Sequence, residues 1–297
     1  MSTTTAGRGR RAAAPERRDE NPGLNFLRAV YAEWLKLTSL RSSYVILIIT
    51  LMGMVGIGLL SVFAVLAMAD GLLDVGRQAG GPAPGPETLT EELGAQARGI
   101  PASGIAIAQF LIASLAVMQI GSEYGTRMIS TTLTVVPRRL TAILAKTLVI
   151  AAVSFIVGAG AALISYAVAQ PLLEPKGLDY AITADGVMPS ILSTGAYLAL
   201  IAILGLGIGT LLRNSAGGIM TTLGLLIVAP IVLAILSGQN ELFMDISRFL
   251  PSSAGIEMVA IRTQPDALTQ NQGGLVVAAW AAAALVGAMI SVKRRDA

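Results

Sequence analysis

The sequence predicts an all-α integral membrane protein with six transmembrane helices. Of its 297 residues, 54% are hydrophobic and only 13% are charged, whereas soluble domains carry about 25% charged residues. Six stretches contain no charged residue and are each at least 24 residues long, and a helix needs about 20 residues to cross a bilayer. The alternative is that these stretches are buried helices of a soluble protein. A soluble protein would then contain six long helices, none of which has a charged face, so we set that alternative aside. The stretches are 42–69, 99–122, 147–173, 186–212, 214–240 and 267–292.

Each stretch predicts one span. Spans 4 and 5 are separated only by Arg213 and Asn214, which predicts a tight helical hairpin. Pro230 is expected to kink span 5. The predicted spans are 44–68, 104–120, 140–170, 190–212, 215–236 and 275–292.

Small residues recur in spans 4 and 5 at spacings that let helices approach closely. Gly205, Gly207 and Gly209 share one stretch of span 4. We expect them to pack against helices of the same chain rather than to form a seam between two chains.

The first 41 residues divide into two parts. Residues 1–22 are polar and rich in arginine, and we expect a disordered cytoplasmic tail. Residues 23–297 then form a single transmembrane domain. In its first part, 23–41, Leu24, Leu27, Tyr31 and Trp34 recur at helical spacing, which predicts an amphipathic helix along the inner leaflet.

The segment 69–103 between spans 1 and 2 is rich in Gly and Pro. It is predicted to be a loop outside the membrane, with one short helix near residues 91–98. It is a candidate surface for a substrate or a partner.

The distribution of positive charge predicts the orientation. Sixteen Lys and Arg residues lie on the side that holds both termini and the segment between spans 2 and 3, against five on the other side. Because positively charged segments are retained inside the cell, we expect a multi-pass protein of the plasma membrane with both termini in the cytoplasm.

The composition excludes several kinds of chemistry. The chain has no cysteine and no histidine, which removes thiol chemistry, His- or Cys-based metal sites and His-based catalysis. It has no G-x-x-x-x-G-K-[ST] phosphate loop, so any ATP chemistry must come from another chain. We therefore predict no catalytic, cofactor-binding or metal-binding residue and no nucleic-acid partner.

No charged residue lies deep in a span. Ion-coupled transporters commonly place ionisable groups there, so their absence argues against that class. A path of apolar and hydroxyl side chains would suit an amphipathic or lipid-like cargo.

The most patterned segment is GSEYGTRM at 121–128, which runs on to VPRR at 136–139. Gly121 is expected to break the helix of span 2, and Ser122 to cap a short amphipathic helix that Pro137 ends. Glu123 and Arg127 have the spacing of an exposed ion pair. An alternative interpretation is that Glu123 only caps that helix. Loss of such an exposed cap should lower the stability of the helix by about 1 kcal/mol. Lys146, at the start of span 3, is expected to extend its charge out to the interface.

Several motifs, in this order and spacing, resemble the permease subunits of type-2 ABC exporters, the ABC-2 family. The resemblance covers nearly all of residues 24–295. The motifs are AEWLKLTSLR at 32–41, GSEYGT at 121–126, VPRR at 136–139, AK at 145–146, GIGTLLRN at 207–214 and LPSSA at 250–254.

The resemblance implies a complex of several subunits. Two permease chains, identical or different, would pair in the lipid, and each would bind an ATP-binding cassette subunit that holds ATP and Mg, giving two copies of the ATPase. The segment between spans 2 and 3 would be the cytoplasmic coupling helix, and residues 23–41 the connecting helix. Residues 241–262 look like the family's short re-entrant helices. The residues in or beside the ATPase contact would be Glu123, Tyr124, Gly125, Thr126 and Arg127.

Spans 2 and 5 would line the path between the two permease chains. Their polar residues are candidates for that lining, namely Gln109, Ser114, Gln119, Thr221 and Thr222. Two functions remain open from the sequence. One is the permease subunit of an exporter for an amphipathic or lipid-like substrate, a drug or a peptide, with no enzyme activity of its own. The other is a non-transporting scaffold or sensor with the same fold.

Overall fold

Helices make up all the regular secondary structure in the part of the chain that the computed structural model describes, residues 25–78, 86–125, 139–238, 240–263 and 266–294. Short 3-10 turns cover Ile100–Ala102 and Glu174–Lys176, and a π-helical turn covers Gly224–Val228. The α-helices are α1 (Phe26–Ser39), α2 (Arg41–Gln78), α3 (Pro86–Arg98), α4 (Ile105–Gly125), α5 (Arg139–Leu173), α6 (Val187–Leu212), α7 (Ser215–Leu223), α8 (Ala229–Ser237), α9 (Glu241–Arg248), α10 (Pro251–Val259) and α11 (Gln270–Arg294).

Six helical segments are long and apolar enough to cross a membrane, which confirms the predicted number and order of spans. Most of them extend several residues past the predicted ends. Spans 1 to 6 are Arg41–Gly71, Ile100–Gly125, Leu140–Lys176, Val187–Leu212, Ser215–Ser237 and Gln270–Arg294.

Spans 2 and 4 form the centre of the bundle. In the apolar 18-residue stretch that identifies each of them, 67% is buried within the chain, against 11% in the corresponding stretch of span 5. Span 4 packs against spans 2, 3 and 6. Its fully buried side chains, which include Tyr197, Leu198 and Ile201, fill the main apolar core.

The glycines of span 4 lie at close contacts with neighbouring helices. A Cβ atom at Gly205 would come within 2.8 Å of the Ala113 carbonyl oxygen, and one at Gly207 within 2.7 Å of the Ala284 carbonyl carbon. One at Gly209 would meet the Ile120 side chain at 2.9 Å. The expectation that these glycines pack inside one chain is confirmed, because spans 2 and 6 occupy the space that a side chain would need.

The hairpin between spans 4 and 5 is as tight as predicted. Arg213 ends span 4 in a left-handed conformation, with φ of 53°. The Asn214 side chain then accepts a hydrogen bond of 2.9 Å from the Gly217 amide and caps the next helix. The π-helical turn of span 5 ends just before Pro230, whose ring nitrogen has no hydrogen to donate to the preceding turn.

The described parts of the segment between spans 1 and 2 are largely helical. Helix α2 continues to Gln78, and α3 buries Leu93 and Ala97 against the far ends of spans 1 and 3. The Tyr180 hydroxyl donates a 3.0 Å hydrogen bond to the Ala97 carbonyl, and Lys176 pairs with Asp70. The short helix predicted near 91–98 is present, and it belongs to a second apolar core at the end of the bundle opposite α1.

Candidate functional site

Four charged side chains from three helices meet at the end of the bundle where α1 lies, and we call them the ionic ring: Glu33, Lys36, Glu123 and Lys146. The Lys36 Nζ lies 2.7 Å from Glu33 Oε1 and 3.0 Å from Glu123 Oε1. The Lys146 Nζ lies 3.0 Å from the same Glu123 oxygen and also contacts Glu33 Oε2. Each lysine therefore contacts both carboxylates, and the ring carries no net charge.

The ring is buried to different depths. Side-chain exposure is 5–9% for Glu33, Glu123 and Lys146, and 31% for Lys36. Burial lowers the pKa of Lys36, but hydrogen bonds and charges from Glu33 and Glu123 outweigh that effect, so its pKa lies above the usual value. Lys36 therefore stays charged at any physiological pH.

Helix α1 contacts the rest of the bundle through a narrow stripe of buried residues, which includes one member of the ionic ring. Ala29, Glu33 and Leu37 are its buried residues, and their spacing of four places them on one face. Its apolar residues on the other faces are exposed, among them Leu27 at 69% and Tyr31 at 62%. The protein-facing side of α1 thus has a charged centre, and its outward side is apolar.

Three expectations about this region are wrong. The helix of span 2 does not break at Gly121 but continues to Gly125, so Ser122 lies inside the helix and Glu123 in its last turn. Glu123 is buried rather than an exposed cap. Lys146 does not extend to the interface, because two buried carboxylates hold its ammonium inside the bundle.

Gly121 has a packing role instead. A Cβ atom there would lie 2.8 Å from the Ser215 Cα, so the end of span 2 lies directly against the start of span 5. One turn further on, the Arg213 guanidinium carbon lies 5.5 Å from the centre of the Tyr124 ring, within the range of a cation–π interaction. The end of span 2 therefore contacts the 4–5 hairpin on one side and the ionic ring on the other.

The rest of the predicted coupling segment lies outside the described residues. This applies to Thr126, Arg127 and Pro137, so the proposed pairing of Glu123 with Arg127 and the helix that Pro137 would end stay predictions. Gly125 is the last residue of span 2, and a Cβ atom there would meet no atom of the described residues within 4 Å.

The candidate path residues fall into two groups. Gln109 accepts a hydrogen bond from Tyr197 in span 4, Gln119 donates one of 2.8 Å to Ser43 in span 1, and both are buried. The Ser114 and buried Thr222 hydroxyls donate to carbonyls of their own helices at 2.7 and 2.8 Å. Thr221 is exposed on span 5. Whether any of them lines a path stays a prediction.

Sequence reasoning missed the ring as a unit. A local signal existed for one member, because Glu33 is at the middle of the stripe Ala29–Glu33–Leu37, where an apolar residue would be expected. Glu123 and Lys146 also flank the same segment with opposite charge. Among the residues that the structure describes, no group of three or more Asp or Glu side chains could hold a metal ion.

The comparisons with known proteins identify the family. The sequence model of a family described as "ABC-2 family transporter protein" matches residues 86–290. A search of curated proteins and a search of solved structures found no match. Because the matched region covers more than half of the chain, the protein belongs to the ABC-2 family.

Members of this family are membrane subunits of ABC transporters that have no catalytic activity of their own and work with an ATP-binding subunit. The chain is thus a multi-pass permease subunit of an ABC transporter, in agreement with its six spans.

Proposed function

We propose that the chain is the permease subunit of an ATP-driven exporter, which moves an amphipathic or lipid-like molecule, a drug or a peptide out of the cytoplasm. The observation that carries this proposal is the ionic ring at both ends of segment 126–138, with Glu123 before it and Lys146 after it. A segment attached in this way transmits a displacement caused by another protein to spans 2 and 3 together. The resemblance to type-2 exporters supports the outward direction.

The complex that we propose contains two permease chains and two ATP-binding cassette subunits, which hold ATP and Mg. Residues 123–127 lie in or beside the contact with the ATPase, and spans 2 and 5 line the path between the permease chains. Span 5 has the open face that this arrangement needs, since Met220 is 71% and Ile235 is 69% exposed. The chain itself hydrolyses no ATP.

The class of cargo follows from the side chains of the membrane spans. The six apolar stretches contain no charge, so a fully charged solute would lose its hydration without gaining a partner. An amphipathic molecule can keep its apolar part in contact with the apolar side chains of these spans. We place the complex in the plasma membrane, with both termini and segment 126–138 in the cytoplasm.

Purification in mild detergent, followed by reconstitution with the ATP-binding subunit that co-purifies, tests the proposal. We expect no ATPase activity from the chain alone, and ATP-dependent movement of a fluorescent amphiphile by the complex. Robust hydrolysis by the chain without a second subunit would overturn it. A stable complex that moves no cargo would favour the scaffold or sensor function.

A further inference from the structure

Among the described residues, Glu123 makes its ion pairs inside the ionic ring. Its Oε1 atom accepts from both Lys36 and Lys146 at 3.0 Å, and its side chain is 9% exposed. The two lysines are also shared with Glu33. An ATPase that contacts this region would therefore meet the segment after Glu123, and Glu123 would act inside the permease.

The ring joins three pieces of chain that could otherwise move separately. Glu33 and Lys36 belong to α1, Glu123 to the end of span 2, and Lys146 to the first turns of span 3. Helix α1 packs mainly against span 3, with only Ala29, Glu33 and Leu37 buried. Because the buried stripe is so narrow, the ion pairs are a large part of what fixes α1 to the bundle.

Any displacement of segment 126–138 reaches the ring from both sides along the backbone. Glu123 precedes the segment by three residues, and Lys146 follows it by eight. A buried, fully paired set of charges resists separation, because each charge that moves away leaves its partner unpaired in a poorly solvated place. The ring therefore favours movement of the three pieces as one body.

We propose that the ionic ring is the joint that makes α1 move together with spans 2 and 3 when the ATPase acts on the coupling segment, with Glu33 and Lys146 as positioning residues. This inference rests on the proposed function. It deepens that function by adding α1 to the moving unit and by assigning Glu123 to the inside of the permease rather than to the contact surface.

The first test removes one carboxylate and one ammonium, and with them three of the four ion pairs of the ring, without leaving a net charge. The double variant Glu123→Gln/Lys146→Met keeps the Glu33–Lys36 pair, and neutral replacement of a buried pair is often tolerated by folding. We expect the amount of cargo moved per ATP to fall about fivefold or more, the lower end of coupling between distant sites. The fourfold variant Glu33→Lys/Lys36→Glu/Glu123→Lys/Lys146→Glu restores every attractive contact and should recover most of the loss.

The matched control is the ion pair at the opposite end of the bundle. Lys176 pairs with Asp70, and each is more exposed than any member of the ring. The variant Asp70→Asn/Lys176→Met removes the same kind of pair and should leave cargo per ATP unchanged. If the Glu123→Gln/Lys146→Met complex folds and moves as much cargo per ATP as the wild type, the proposal that the ionic ring is the joint is overturned. A wild-type complex without ATP-driven transport would instead count against the proposed function.

A second measurement decides the matter if the double variant does not fold. The chain has no cysteine, so spin labels attach only where cysteines are introduced. Ala32 on α1 and Leu148 on span 3 are exposed and outside the ring. In the Ala32→Cys/Leu148→Cys complex we expect one narrow distance distribution that is the same with and without ATP. A distance that shifts with nucleotide would show that α1 moves independently, which would overturn the proposal.

Discussion

The Tyr197 hydroxyl of span 4 donates a 2.5 Å hydrogen bond to the side-chain oxygen of Gln109 in span 2. Both residues are buried, at 1% and 7% exposure. The Tyr197 ring also packs against Gly255 of α10, where a Cβ atom would overlap the ring. This contact satisfies a polar interruption of span 2 inside the chain and links the two most buried spans.

We expect Tyr197→Phe to lower the stability of the purified chain by about 0.5–2 kcal/mol, the range for hydrogen bonds between membrane helices. The variant keeps the ring but leaves the Gln109 oxygen without its donor. The midpoint of thermal unfolding in detergent measures the effect. Tyr44→Phe is the control, because Tyr44 is 48% exposed. Equal midpoints for the two variants would contradict the role of the bond.

Gly121→Ala and Gly125→Ala are expected to have opposite effects, although the two glycines lie one turn apart on the same helix. Replacing a helical glycine by alanine gains about 1 kcal/mol of helix propensity. At Gly125, the last residue of the helix, no atom of the described residues opposes the part of that gain that remains at a helix end, whereas at Gly121 the new Cβ would lie 2.8 Å from the Ser215 backbone. Thermal unfolding should therefore show a stabilised Gly125→Ala and a destabilised Gly121→Ala. A stabilised Gly121→Ala would mean that the 4–5 hairpin shifts without cost.

Tyr124→Ala should destabilise the isolated chain by about 0.5–2 kcal/mol, because it removes the ring that faces the Arg213 guanidinium. Tyr124→Phe keeps the ring and should stay close to wild type. Measuring both variants without an ATPase subunit separates this internal role from a contact with a partner. If the isolated Tyr124→Ala chain is as stable as wild type, its ring does not act through Arg213.

Glu123→Arg should prevent proper folding rather than only reduce coupling. The substitution would place a third positive charge beside Lys36 and Lys146, and leaving buried charges uncompensated costs about 3–5 kcal/mol, several times the loss expected for an exposed cap. The yield of monodisperse protein in detergent measures the effect. Glu91→Arg is the control, since Glu91 and its partner Arg262 are 73% and 57% exposed. A normal yield of Glu123→Arg would show that the ring tolerates like charges.

Reporter fusions test the proposed orientation. A reporter that is active only in the cytoplasm should work when fused after Ala297 and fail when inserted within 80–86, because the positive charges favour cytoplasmic termini. Western blots of both fusions control for expression. Equal activity at the two positions would contradict the five crossings, spans 2 to 6, that separate them.

The number of spans, the 4–5 hairpin and α3 could be predicted because each depends on local composition. Uncharged stretches mark the spans, and Arg213 and Asn214 leave room only for a tight turn. The ionic ring could not be derived in the same way, since the Glu33–Lys146 contact joins residues 113 positions apart. Local pattern shows that Lys146 lies near an interface, but only the packing of α1 on span 3 decides that its charge points inward.

Gly121 shows the same limit at a single residue. A glycine between an apolar stretch and a polar one is typical of a helix end, and that interpretation is wrong here. The absence of a side chain at Gly121 serves packing, because Ser215 occupies the space beside it, and Ser215 belongs to a hairpin almost a hundred residues away.

The central position of α6 has a consequence for assembly. This helix contacts α4, α5, α7, α10 and α11, and its packing against α5 is built from side chains rather than from the short 177–186 connection between the two helices. Membrane helices can insert first and associate afterwards. Two co-expressed fragments, one that ends and one that begins within 177–186, should therefore find each other in the bilayer and complement as a split protein, with α6 as the surface on which spans 2 and 3 dock.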